Sequence, residues 1–181
     1  MIRLFAAIEV PPDICDGLVR RQQGLPGARW RPADTLHITL RFFGEIPEPV
    51  AADLDLELAA VASKPFELRL DGVGTFGDAV EVRAVWAGVA ECQTLRTLAG
   101  RCEAAARRVG LKPEGRAYHP HLTLAYLKHA DPGRAAAWIQ GHNLLKAPPF
   151  QVSRFGLYSS WPSSEGSRYE LEREYPLTAS A

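Results

Sequence analysis

Apolar positions along the chain fall into short β-branched or aromatic runs, separated by alanine- and leucine-rich stretches with helical spacing. The run "RLFAAIEV" at 3–10 predicts a buried strand. "PPDICDGLVRRQQ" opens on Pro-Pro-Asp and places Ile14, Leu18 and Val19 on one helical face, before "GLPG" breaks it. "LHITLRFFG" reads as a strand closed by Gly44, and "PEPVAADLDLELAAVAS" as a helix. "FELRLDGVGTF" and "AVEVRAVWAGV" alternate on either side of a Gly/Asp turn and predict a hairpin. "ECQTLRTLAGRCEAAARRVG" is the longest predicted helix, ended by Gly110; "HPHLTLAYL" is a strand and "DPGRAAAWIQGH" a short helix. "FQVSRFGLYSS" and "RYELEREYPL" form a closing pair of strands around the polar loop "WPSSEGS". Strands and helices mix without regular βαβ spacing, which predicts an α+β fold with antiparallel sheets.

The length, 181 residues, suits one domain or two small lobes sharing a core. No stretch approaches the roughly 20 apolar residues that cross a bilayer. The opening "MIRLFAAIEVPP" is short, carries Arg3 and Glu9 and stops at Pro-Pro, so it reads as a strand rather than a signal peptide; a cytoplasmic protein is expected. Twenty-one Lys plus Arg balance 21 Asp plus Glu, which argues against coating long nucleic acid by charge but leaves room for a pocket that reads one phosphate. Cys15, Cys92 and Cys102 are an odd set without C-x-x-C and read as reduced, structural thiols.

One pattern occurs twice: "HITL" at 37–40 and "HLTL" at 121–124, each in strand-like context. Five His and seven Thr would give only about 0.2 H-x-T triplets by chance. Residues i and i+2 of a strand share a face, so His37 projects with Thr39 and His121 with Thr123, while Ile38, Leu40, Leu122 and Leu124 turn into packing. Each motif strand follows a helix and precedes another, which suggests two related lobes. Should the strands share a cleft, two imidazoles and two hydroxyls converge. A neutral imidazole can take a proton from an attacking water and a protonated one can give a proton to a leaving oxygen. The hydroxyls can donate to non-bridging phosphate oxygens. That set suits an in-line phosphoryl displacement without a metal. Either motif alone would pass for a partly buried strand histidine beside a threonine chosen for β-propensity.

With these motifs the chain resembles the 2H phosphoesterases, and among them the bacterial and archaeal RNA 2′,3′-cyclic phosphodiesterases, also called 2′-5′ RNA ligase-like proteins. The likeness runs through "RLFAAIEVP", "WRPADTLHITLRFFGEI", "FELRLDGVGTFGD", "RAVWAGV", "RAYHPHLTLA" and "LYSS…GSRYELEREYPL". The resemblance implies a bilobal α+β fold with pseudo-twofold duplication. Two antiparallel sheets would face a central cleft with helices outside, in one domain over 1–181. Its lobes would cover roughly 1–90 and 91–181, interleaving allowed. It implies hydrolysis of a 2′,3′-cyclic phosphate to a 2′-phosphate, with His37 and His121 catalytic and Thr39 and Thr123 on the phosphate. His121 is expected as the base and His37 as the acid at O3′, although the near-equivalent motifs do not order them. No cofactor or metal is expected, the partners are RNA ends or small cyclic-phosphate nucleotides, and a monomer is expected. Ligation, the reverse reaction, is open to the same groups. Members often carry "HITLAR"; here Tyr126 stands in the arginine's place, and simple alternation points it away from the His121 face.

Other residues could assist. Arg41 lies two places beyond Thr39, so alternation puts it on the His37 face as a phosphate or ribose contact. Arg116 and Tyr118 precede one motif and Trp30 and Arg31 the other; at a cleft mouth they could stack a terminal base and hold the next phosphate, with core packing the plainer role for Trp30. "HPH" raises a metal pair of His119 and His121, completed by His129 or Asp131; a rim position for His119 is the simpler reading. The "WPSSEGS" loop, with Trp161, could close over substrate or merely end a hairpin. A protein that binds RNA ends without turning them over is the alternative from another class.

Overall fold

A computed structural model describes residues 1–164 and 166–178. In order they form β1 (Ile2–Glu9), α1 (Pro12–Val19), β2 (Ala28–Trp30), β3 (His37–Ile46), α2 (Glu48–Ala59), β4 (Phe66–Leu68), β5 (Leu70–Gly77), β6 (Val82–Val89), α3 (Gln93–Arg108), β7 (His121–Leu127), α4 (Pro132–His142), β8 (Phe150–Val152), β9 (Arg154–Ser163) and β10 (Gly166–Pro176). The α+β class expected from the pattern is the class observed.

Two four-stranded sheets carry the fold, ordered β10-β9-β1-β3 and β2-β7-β6-β5, and every pairing given within them is antiparallel. Three strands of one sheet match three of the other: β9-β1-β3 corresponds to β5-β6-β7. The registers agree in detail. Ala7 lies between Thr39 and Gly156 as Trp86 lies between Thr123 and Gly74, and Phe5 between Phe42 and Tyr158 as Ala84 between Tyr126 and Phe76. The chain runs β-α-β-α-β-β twice, from β1 to β5 and from β6 to β9, with β2 and β10 added. The last strand of each run joins the sheet of the other run, and the short strands β4 and β8 pair across the exchange.

The apolar faces of the motif strands fill the core. Ile38, Leu40, Leu122 and Leu124 are all buried, with Leu95, Leu98 and Cys102 of α3, Leu54 and Leu58 of α2, and Ile14 and Leu18 of α1. Helix α3 packs on β3 and α2. It ends where Gly110 takes a φ of +83°, a conformation that costs glycine nothing.

Several local expectations change. "FEL" is a separate strand rather than the start of the hairpin, because Phe66 and Leu68 pair with β8. Strand β2 was not visible in the pattern, since three residues at a sheet edge carry no periodicity. The "WPSSEGS" loop is not a long one: Trp161, Pro162 and Ser163 belong to β9 and Ser163 already pairs with Gly166, while Glu165 lies outside the described residues.

Candidate active site

The two motif strands bring their polar faces together. His37, Thr39, His121 and Thr123 line one cleft of about 280 Å³. Strand β3 approaches β7 from the neighbouring sheet, and the Tyr118 hydroxyl donates to the Thr39 carbonyl at 2.9 Å, fastening the segment before β7 to β3.

Both rings are held the same way. His37 Nδ1 lies 2.8 Å from the Thr35 carbonyl and His121 Nδ1 lies 2.7 Å from the His119 carbonyl, in each case two residues back. A carbonyl can only accept, so each Nδ1 carries the hydrogen and each Nε2 is left with its lone pair for the cleft. Aromatic neighbours set the ring planes. Phe5 and Tyr169 stand 4.9 and 5.2 Å from the His37 ring, and Phe76 stands 4.6 Å from the His121 ring. Among the described residues neither motif threonine hydroxyl is taken up by a protein hydrogen bond, which leaves both as donors into the cleft.

Burial disfavours the charged form of both imidazoles. It pushes His37 down to about 4, with the nearby Arg31 and His121 adding to the effect and the Thr35 carbonyl opposing it. His121 is lowered too, by burial and then by His119, against the pull of its own carbonyl bond. Both shifts favour the uncharged imidazole at neutral pH.

Two residues depart from simple alternation, for the same reason. Ala7 pairs with Thr39 and Ala6 with Arg41, so Leu40 is an extra residue in β3; Trp86 pairs with Thr123 and Val85 with Ala125, so Leu124 is extra in β7. A β-bulge reverses the facing of everything beyond it. Arg41 thus leaves the His37 face, and Phe42 takes its place in the cleft. Its guanidinium instead bonds Glu103 of α3 at 2.5 Å and the Lys112 carbonyl at 2.7 Å. In β7 the same reversal brings Tyr126 into the cleft, opposite to its expected direction. Phe42 and Tyr126 are pseudo-twofold counterparts, five residues beyond their histidines.

Arg116 is exposed and Tyr118 spends its hydroxyl on Thr39; neither lines the cleft. Trp30 packs against Trp138 at 5.6 Å, at the edge of the core. His119 is exposed, set edge-on to Trp86 at 4.9 Å. His129 falls at a turn with φ +55° and Asp131 caps α4 by accepting from the Arg134 amide. Among the described residues no three His, Cys, Asp or Glu side chains are grouped as a metal would need. Arg3, Phe42, Ser160, Ser167 and Tyr169 also line the cleft, and no local sequence pattern marks them. Alternation from Phe5, the partner of Tyr158, would have placed Arg3 and Ser160 with it, had the strand pairing been known.

A family model described as the 2′-5′ RNA ligase superfamily matches residues 10–160. A relative from Archaeoglobus fulgidus named RNA 2′,3′-cyclic phosphodiesterase is 31% identical over 172 residues, covering 93% of this chain and 97% of its own. The chain belongs to the 2′-5′ RNA ligase superfamily. Solved structures of the superfamily's fold agree. LigT of Escherichia coli complexed with 3′-AMP superposes with a TM-score of 0.81 at 27% identity, over 98% of this chain and 99% of that one. A Thermus thermophilus structure gives 0.82 at 26%, over 97% and 98%.

Proposed function

We propose that this protein hydrolyses the 2′,3′-cyclic phosphate at the end of an RNA to a 2′-phosphate, as one unit of two interleaved lobes. The observation that carries the reading is the matched stance of the two motifs. Each presents an imidazole with its Nδ1 hydrogen committed to a backbone carbonyl, and a hydroxyl two residues on, to one cleft. Membership of a superfamily with relatives named for this reaction supports the same reading.

In the proposed step His121 Nε2 takes a proton from a water whose oxygen bonds to phosphorus. The P–O3′ bond opposite breaks, and His37 gives its proton to O3′. Thr39 and Thr123 donate to the non-bridging oxygens, where charge gathers. The bound monoanion favours the imidazolium form, so its negative charge raises the proton affinity of His37, and the ring takes up from solvent the proton it later gives to O3′. Solvent exchange then resets both rings. The scheme uses no metal.

The test is an RNA ending in a 2′,3′-cyclic phosphate, incubated with and without chelator. Formation of the 2′-phosphate isomer at equal rates is expected. A 3′-phosphate product, chelator sensitivity, or binding without turnover would each overturn the scheme.

A further inference from the structure

Five arginines outside the cleft, Arg41, Arg96, Arg108, Arg154 and Arg173, each face a carboxylate. Among the described residues neither Arg3 nor Arg31 forms an ion pair, although both line the cavity. Aromatic rings hold them instead. The Arg31 guanidinium lies over Tyr169 at 5.5 Å and Tyr126 at 5.8 Å, with Nη2 donating to the Tyr169 hydroxyl at 3.1 Å. That of Arg3 lies over Phe42 at 5.0 Å. Stacking fixes a guanidinium while leaving most of its N–H edge unspent.

The placement is one-sided. Tyr169 is the ring set edge-on to His37, so the arginine arm starts beside one of the two imidazoles. The ring set against His121 is the uncharged Phe76. The cleft, about 280 Å³, is at the small end for a ligand pocket (roughly 300 Å³ upward). One terminal nucleotide fills it, and the rest of a strand must leave over a rim. On the His37 flank that rim is cationic and aromatic, the combination that holds single-stranded RNA.

We propose that Arg31, with Arg3 beside it, forms a second phosphate subsite for the internal phosphodiester on the 5′ side of the terminal nucleotide. The proposal rests on the cyclic phosphodiesterase reading of the cleft and adds to it a contact one phosphate away from the reacting one.

Equilibrium binding tests it without turnover. The probes are two RNA dinucleotides ending in a 2′-phosphate, one joined by an ordinary phosphodiester and the other by an uncharged methylphosphonate. The wild type is expected to bind the charged probe about tenfold tighter at low salt, an advantage that shrinks as salt rises. In Arg31→Gln the ratio falls to about two or less, and in Arg3→Gln it falls part of the way. Equal affinities in the wild type, or an undiminished ratio in both folded variants, overturn the subsite. The wild-type comparison stands even if a variant fails to fold. Failure to cleave a cyclic phosphate would strike the proposed function and leave this comparison readable.

Discussion

At the scale of single residues, the two imidazoles are alike in geometry and unlike in surroundings. His37→Ala or His121→Ala is expected to lower kcat/KM by about 100-fold or more, measured on a cyclic-phosphate RNA end. A substrate with sulfur bridging at the 3′ position separates the roles, because a thiolate leaves without help from an acid. His37→Ala should recover much of its rate on that substrate and His121→Ala should not; the opposite result exchanges base and acid. The depressed pKa values set the pH dependence. Since kcat/KM reports the free enzyme, its bell should centre below pH 6.5, with the acid flank near the His37 value of about 4. Stability has the same origin. The unfolded chain takes up a proton at His37 near 6.5 and the folded one only near 4, so folding weakens as pH falls through that window. Thermal melts at pH 7, 5.5 and 4.5 should show the drop, and His37→Gln should flatten it.

Among the elements, the two motif strands show what a sequence displays and what it hides. His37 with Thr39, and His121 with Thr123, were legible because the i, i+2 relation lies within one strand. Arg41 and Tyr126 were misplaced because Leu40 and Leu124 are bulged, and a bulge exists only relative to a partner strand that the local pattern does not name. Arg3 and Tyr169 escape the local pattern for a related reason, since the one sheet they share joins opposite ends of the chain. The corrected position of Arg41 has a measurable consequence. Its largely buried guanidinium ties β3 to α3 through Glu103, so Arg41→Met strands a carboxylate and should cost about 3 kcal/mol in denaturant unfolding. Because Arg41 is outside the cleft, kcat/KM of the folded variant should stay within about threefold of wild type. A large loss of activity without a loss of stability would return Arg41 to the site.

Across the whole molecule, the α+β class and the order of the principal strands and helices could be read from hydrophobic periodicity and turn residues. The exchange of β5 and β9 between the two repeated runs could not, because periodicity tells which face of a strand is buried and nothing about its neighbour. That exchange also sets an order of events during synthesis. Strand β1 is hydrogen-bonded on one side to β9, made some 150 residues later, and loop closure over such a span is slow. Pulse-labelled amide exchange during refolding should find the β5-β6-β7 amides, which are near in sequence, protected before those joining β1 to β9. One edge of β1 must therefore wait unpaired while every element up to β9 is translated.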